Sequence, residues 1–125
     1  MEPETLHPIA MTVDQAAILR YAALTNDFNP LHVDPAFAAT TEMGGVIAHG
    51  TLSLGLIWQS LVATLGANAV LDLDLRIKFV RPVRVGDRVE ASGERVAAGE
   101  GYTVRVRKQD GTDIIVGTAL KRAAR

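Results

Sequence analysis

Asp27 and His32 stand five positions apart in the string Asp27-Phe28-Asn29-Pro30-Leu31-His32, and His49-Gly50 follows seventeen residues after His32 at the head of a long apolar stretch. A carboxylate and an imidazole carried on one segment can hold a water molecule and move its protons, and histidine exchanges protons near neutral pH with little perturbation. Pro30 argues against regular helix here, so the pair is expected on a loop. Asp27 would need burial to become an efficient base, and burial beside Phe28 and Leu31 is the corresponding expectation. Gly50 supplies a third element. A helix start presents unpaired N–H groups and the positive end of the dipole, and glycine lets a carbonyl oxygen come close to the main chain. The Gly50 amide is therefore the candidate donor to a developing oxyanion. Together these residues read as an enzyme that works on water by acid/base chemistry.

Each residue also has a plainer role to weigh. Asp-x-Asn-Pro by itself makes an Asx-type turn as readily as a catalytic loop. Asn29 is expected to pin the loop with its carboxamide, and Asp34, before Pro35, to cap a short helix. His49 is open between direct participation, a helix cap and a packed core histidine. Asp27, His32 and His49 lack the spacing on regular structure that marks a metal site, so none is expected. Nucleophilic catalysis has no Gly-x-Ser-x-Gly elbow and no cysteine to rest on. His7 carries no argument for function, and Arg76 with Lys78 reads as a solvated strand face.

Composition excludes several partners. Thirteen basic against fourteen acidic residues leave a net charge of -1, which offers no footprint for nucleic acid or an anionic membrane. At 125 residues, 48% of them hydrophobic, the sequence reads as one domain over residues 1–125 with one core. The opening Met1-Glu2-Pro3-Glu4 is acidic and unlike a secretory leader, so a cytoplasmic location is the default expectation.

The elements that must position the chemistry follow from pattern. Thr12 or Asp14 could cap a helix running to about Leu24. Residues 25–45 are broken by Pro30 and Pro35 and read mostly as loop, with a short helix after Asp34. From Thr51 to Leu65 the chain is apolar on nearly every side and Gly66 is placed to end it, which predicts a buried helix too short to cross a bilayer. Leu71 to Phe79 alternates apolar and charged residues as a half-buried strand does. Further strands are predicted at about 88–97, 102–108 and 113–121, separated by Gly99-Glu100-Gly101 and Asp110-Gly111. The second half thus reads as an antiparallel meander, and a sheet curled around the apolar helix is the economical arrangement.

At this point Asp27-x-Asn29-Pro30-x-His32, Ala48-His49-Gly50-x-Leu52 and Phe79-x-x-Pro82-Val83-x-Val85-Gly86-Asp87 resemble the MaoC-like hydratases, a family that includes R-specific enoyl-CoA hydratases and hydroxyacyl-thioester dehydratases. The resemblance runs from about Val13 to the last strand. It implies an α+β hotdog fold, an antiparallel sheet wrapped round a central helix, and a homodimer or higher homo-oligomer. It places the family's catalytic pair on Asp27 and His32 and supports Gly50 as the oxyanion donor. It also implies an acyl thioester as substrate, carried on coenzyme A or acyl carrier protein, with no further cofactor. Relatives often have a hydroxyl residue near the catalytic carboxylate; Thr51 and Ser53 are available here, while Gly55 occupies a position where some members have serine. Met43, Phe37, Trp58 and Leu61 could line an acyl tunnel or pack the core. Arg81, Arg84 and Arg88 could meet the carrier's phosphates. Two other classes share the fold: an acyl-thioesterase, separable by release of free thiol, and a non-catalytic acyl-thioester-binding subunit, active only beside a partner.

Overall fold

The computed structural model describes residues 2–97 and 100–122. The elements are β1 (Ile9–Val13), α1 (Gln15–Thr25), α2 (Pro30–Val33), α3 (Pro35–Ala39), α4 (Gly50–Leu65), α5 (Ala67–Val70), β2 (Leu73–Phe79), β3 (Asp87–Arg95), β4 (Gly101–Lys108) and β5 (Asp113–Lys121). Every strand pairing is antiparallel, and the spatial order is β1-β3-β4-β5-β2. The inward residues of β3 and β4, among them Val89, Ala91, Val104 and Val106, are almost fully buried, while Arg88, Thr103 and Arg107 on the opposite face are exposed. This is the hotdog arrangement, with α4 lying on the inner face of the sheet.

Three features differ from the pattern reading. β1 was not expected. Thr12 lies inside this strand, and the cap belongs to Asp14, whose carboxylate accepts from the Ala17 N–H at 2.8 Å. The meander holds only for β3, β4 and β5. β2 lies beyond β5, running from Leu73 opposite Lys121 to Phe79 opposite Ile115, so the segment after Phe79 must cross the sheet end to reach β3. Pro82 in that segment cannot donate a ladder bond, which suits a crossing better than a hairpin. Finally, α4 is buried on one side and not all round. Ser53, Leu56, Ile57, Ser60 and Leu61 face the sheet, whereas Thr51, Gln59, Val62 and Ala63 stay exposed. One five-stranded sheet covers one side of the helix and leaves the flank open.

Burying side chains such as Ile57 and Leu61 contributes about 1.5–3 kcal/mol each. The polar groups facing the far half of α4 are satisfied. Ser60 Oγ donates to the His7 carbonyl at 2.6 Å, the His7 N–H donates to Thr64 Oγ1 at 2.8 Å, and Tyr102 OH donates to the Pro3 carbonyl at 2.5 Å. These bonds fasten the segment before β1 to the core, so His7 works through its backbone. The Val85-Gly86-Asp87 turn takes φ +94° at Gly86, which glycine allows without strain. The Asp110-Gly111 turn joins β4 to β5 as expected, and Gly99 of the other predicted turn lies outside the described residues. Among the described residues no helix is long and apolar enough to cross a membrane.

Candidate active site

The site gathers at the N-terminal end of α4. α1 stops where Asn26 takes a left-handed conformation, φ 55°, and both its N–H and that of Asp27 turn back to the Ala22 carbonyl. The chain then enters the loop that carries the carboxylate. Asp27 Oδ1 accepts from the Asn29 N–H at 3.2 Å, and Asn29 Oδ1 accepts from the Leu31 N–H at 3.0 Å. Asn29 therefore pins the loop, as its type suggested. It also caps α2, the one-turn helix that holds His32. Here Pro30 stands at the first helical position, where its missing N–H costs nothing, so the proline starts helix instead of excluding it.

His32 Nδ1 lies 2.7 Å from the Ile47 carbonyl. A carbonyl only accepts, so Nδ1 carries the proton in the neutral ring and Nε2 keeps a bare lone pair. Ile47 is held in turn by a bridge to Arg84, and the Ala48 N–H donates to the Val83 carbonyl at 2.8 Å. The segment crossing from β2 to β3 thus fixes the backbone that orients the histidine.

His49 is 3% exposed. Its Nε2 donates to the Asp27 carbonyl at 3.0 Å, its ring stacks on that of His32 with centroids 4.0 Å apart and planes 27° apart, and the Tyr21 ring meets its edge at 5.0 Å. It occupies the N-cap position of α4 without making a side-chain cap bond, so the cap reading falls. Its Nδ1 is buried and has no partner. One donor atom from each of Asp27, His32 and His49 lies within 4.8 Å of the others. His49 Nε2 is already committed to the Asp27 carbonyl and is not free to ligate an ion.

Asp27 corrects one expectation. Residues 23–30 are exposed throughout, Phe28 by 54%, and no described element covers this loop. Asp27 does not gain the burial that the string of apolar neighbours suggested. Its hydrogen-bond partner is the Asn29 amide, and neither candidate hydroxyl reaches it. Thr51 Oγ1 accepts from Tyr21 OH at 2.7 Å, and Ser53 Oγ is buried without a partner.

Gly50 opens α4, where its N–H has no intrahelical acceptor. A Cβ here would stand 3.0 Å from the Phe79 ring, which would have to give way, so glycine eases that packing as well as approach to the amide. A cavity of about 340 Å³ runs along this end of the helix, lined by His32, His49, Gly50, Ser53, Phe79 and Val83 among others. Of the residues considered for an acyl tunnel, Met43 lines it; Leu61 is fully buried in the core, and Phe37 and Trp58 lie elsewhere. Arg81 lines the cavity, whereas Arg88 borders a separate groove with Glu90 and Arg107. Tyr21, in the first helix, carries no expectation from the sequence pattern. Its hydroxyl, placed one helix before the Asp27 loop, was the signal that could have marked it.

With this geometry in place, comparison with known proteins is informative. The MaoC like domain family matches residues 1–121. An (R)-specific enoyl-CoA hydratase of Aeromonas caviae is 39% identical over 110 residues, covering 84% of this chain and 82% of the relative. A 3-hydroxybutyryl-CoA dehydratase of Methylorubrum extorquens is 35% identical over 82 residues, covering 66% of this chain and 52% of the relative. Among solved structures, an R-hydratase from Pseudomonas aeruginosa superposes with a TM-score of 0.78 at 28% identity, covering 95% of this chain and 79% of that one.

Proposed function

This chain belongs to the MaoC-like domain family, and from that premise we propose that it is a hydro-lyase that reversibly adds water to trans-2-enoyl thioesters, giving R-3-hydroxyacyl thioesters. The observation that carries the reading is that His32 and the Gly50 helix start line one cavity, with a carboxylate oxygen of Asp27 within 4.8 Å of a ring nitrogen of His32. Asp27 and the bare Nε2 of His32 hold one water. Its oxygen forms the new bond to the β carbon, and a proton goes to the α carbon, so water is consumed whole and no redox partner is needed. Negative charge passes through the thioester oxygen on the way, and the Gly50 N–H with the positive end of α4 stabilises it. The substrate rides on coenzyme A or acyl carrier protein, with no other cofactor. Arg81, at the cavity, is the arginine best placed to meet a carrier phosphate.

The active form is a homodimer or higher homo-oligomer. Supporting this, the outer strands β1 and β2 have one unpaired edge each, and the open flank of α4 sets Val62 at 41% exposure near the half-buried Trp58. A second copy would cover such edges and also shelter the Asp27 loop.

The test is loss of enoyl absorbance with crotonyl-CoA and a longer trans-2-enoyl-CoA, with free thiol followed in parallel. Hydration to the R product without thiol release is expected. Thiol release without hydration would make the chain a thioesterase and overturn the proposal.

A further inference from the structure

His49 touches both halves of the proposed catalytic pair at once, one through a hydrogen bond and the other through ring stacking. Nε2–H reaches the Asp27 backbone carbonyl at 3.0 Å, and the ring lies 4.0 Å from that of His32. Tyr21 closes the arrangement from α1, edge-on to His49 at 5.0 Å, with its hydroxyl on Thr51 in the first turn of α4 at 2.7 Å. We propose that His49 is a positioning residue, with Tyr21 behind it, that locks the Asp27 loop, the His32 ring and the start of α4 into one register. This rests on the hydratase reading above.

The same contacts argue against His49 carrying protons itself. Nε2 is committed to a carbonyl, which cannot exchange a proton with it, and Nδ1 is enclosed by protein with no hydrogen-bond partner to relay through. At 3% exposure the ring has almost no surface on which to meet water. What the residue supplies is shape: a flat ring thick enough to back His32, with a donor at one end for Asp27. Neither contact alone fixes both catalytic groups, and their relative placement is what an acid/base pair working on one water depends on.

Substitutions can separate the two contacts. His49→Gln keeps a donor near the Nε2 position and removes the ring; His49→Phe keeps the stack and removes the donor; His49→Ala removes both. Kinetics on an enoyl thioester are expected to show kcat falling about a hundredfold in His49→Ala with KM changed little, and each of the other two recovering part of that loss. Tyr21→Phe, which keeps the edge contact and loses the Thr51 bond, should lower kcat about threefold. The ring ¹H and ¹⁵N resonances of His32, read in the free protein without turnover, should shift in His49→Ala and return toward the parent in His49→Phe. Equal inactivity of the Gln, Phe and Ala variants, with His32 resonances unmoved, would make His49 a catalytic residue and overturn the proposal. A change confined to KM, or equal losses of activity and folding in all three, would overturn it too. Should the parent hydrate no thioester while the resonances behave as stated, the brace stands and the hydratase reading falls.

Discussion

Asp27 and Asp87 are two aspartates beside turns, and their surroundings are opposite. Asp87 is 9% exposed, and its carboxylate accepts from the Arg84 N–H at 2.9 Å and the Gln109 carboxamide at 3.2 Å, with the Lys108 ammonium 3.6 Å away. Burial alone would push its pKa up, but the Arg84 amide, Gln109 and Lys108 together outweigh that and hold it below the usual carboxylate value. Asp27 is exposed and accepts one amide from Asn29. A carboxylate whose lone pairs are spoken for holds a chain in place; one with spare lone pairs beside a half-free imidazole can hold a water. The same contrast runs along α4. Ser60 and Thr64 at the far end are paired to the backbone of His7, whereas His49 Nδ1 and Ser53 Oγ at the near end are not. His49 Nδ1 and Ser53 Oγ lie where the chemistry is proposed, while Arg105 Nε on β4 is buried without a partner elsewhere.

The contrast can be broken by exchanging what each aspartate does. Asp27→Asn or His32→Ala should lower kcat about a thousandfold in enoyl hydration and leave the urea midpoint near that of the parent. Asp87→Ala should do the reverse, costing about 2–3 kcal/mol in urea unfolding by stranding the Arg84 N–H and Gln109, with kcat per folded molecule kept. If Asp27→Asn unfolded the chain while remaining active, the assignment of the two roles would fail. Gly50→Ala should reduce kcat/KM about tenfold to a hundredfold, and Phe79→Leu in the same chain should recover only the part due to the clash with the ring. Complete recovery would leave the Gly50 amide without its oxyanion role.

The smallest effect concerns acid. Because the folded pKa of Asp87 lies below the ordinary aspartate value of 3.8, its contribution is complete above that value and is lost as pH falls through the folded pKa. Stability measured from about pH 5 down to about pH 2 should therefore fall more steeply in the parent than in Asp87→Asn. Parallel curves would show that Asp87 gains nothing from its partners on folding.

Local signals carried much of this into the sequence. Asp14 and Asp34 before helices, the alternation from Leu71 to Phe79, and the largely apolar run of α4 each record a preference that neighbours a few residues away decide, and each marked an element that formed, although β2 begins at Leu73 and α4 buries only one side. What escaped depends on distant partners. Nothing near Ile9–Val13 announces that β3 will pair with it, and the alternation of β2 is the same whichever strand lies beside it. The exposure of Asp27 was missed for a related reason, since Leu31 packs against the core but Phe28 beside the carboxylate is left exposed. Tyr21 is the clearest case. Within α1 it is one more large side chain on a stripe, and its role comes from Thr51 and His49, which only the folded chain brings to it.

The placement of β2 next to β5 sets a timetable for the molecule's assembly. Leu73 to Phe79 is made before its partner, yet it has no neighbour until Asp113 to Lys121 has emerged, and the crossing that orients His32 cannot settle until then. Long-range pairings of this kind pay their loop-closure entropy before they gain contacts, which slows folding and leaves the edges of β2 unpaired meanwhile. A growing chain halted short of β5 would therefore lack the partner of β2 and the anchor of the crossing segment, so the strand furthest along the sequence sets when the site can form.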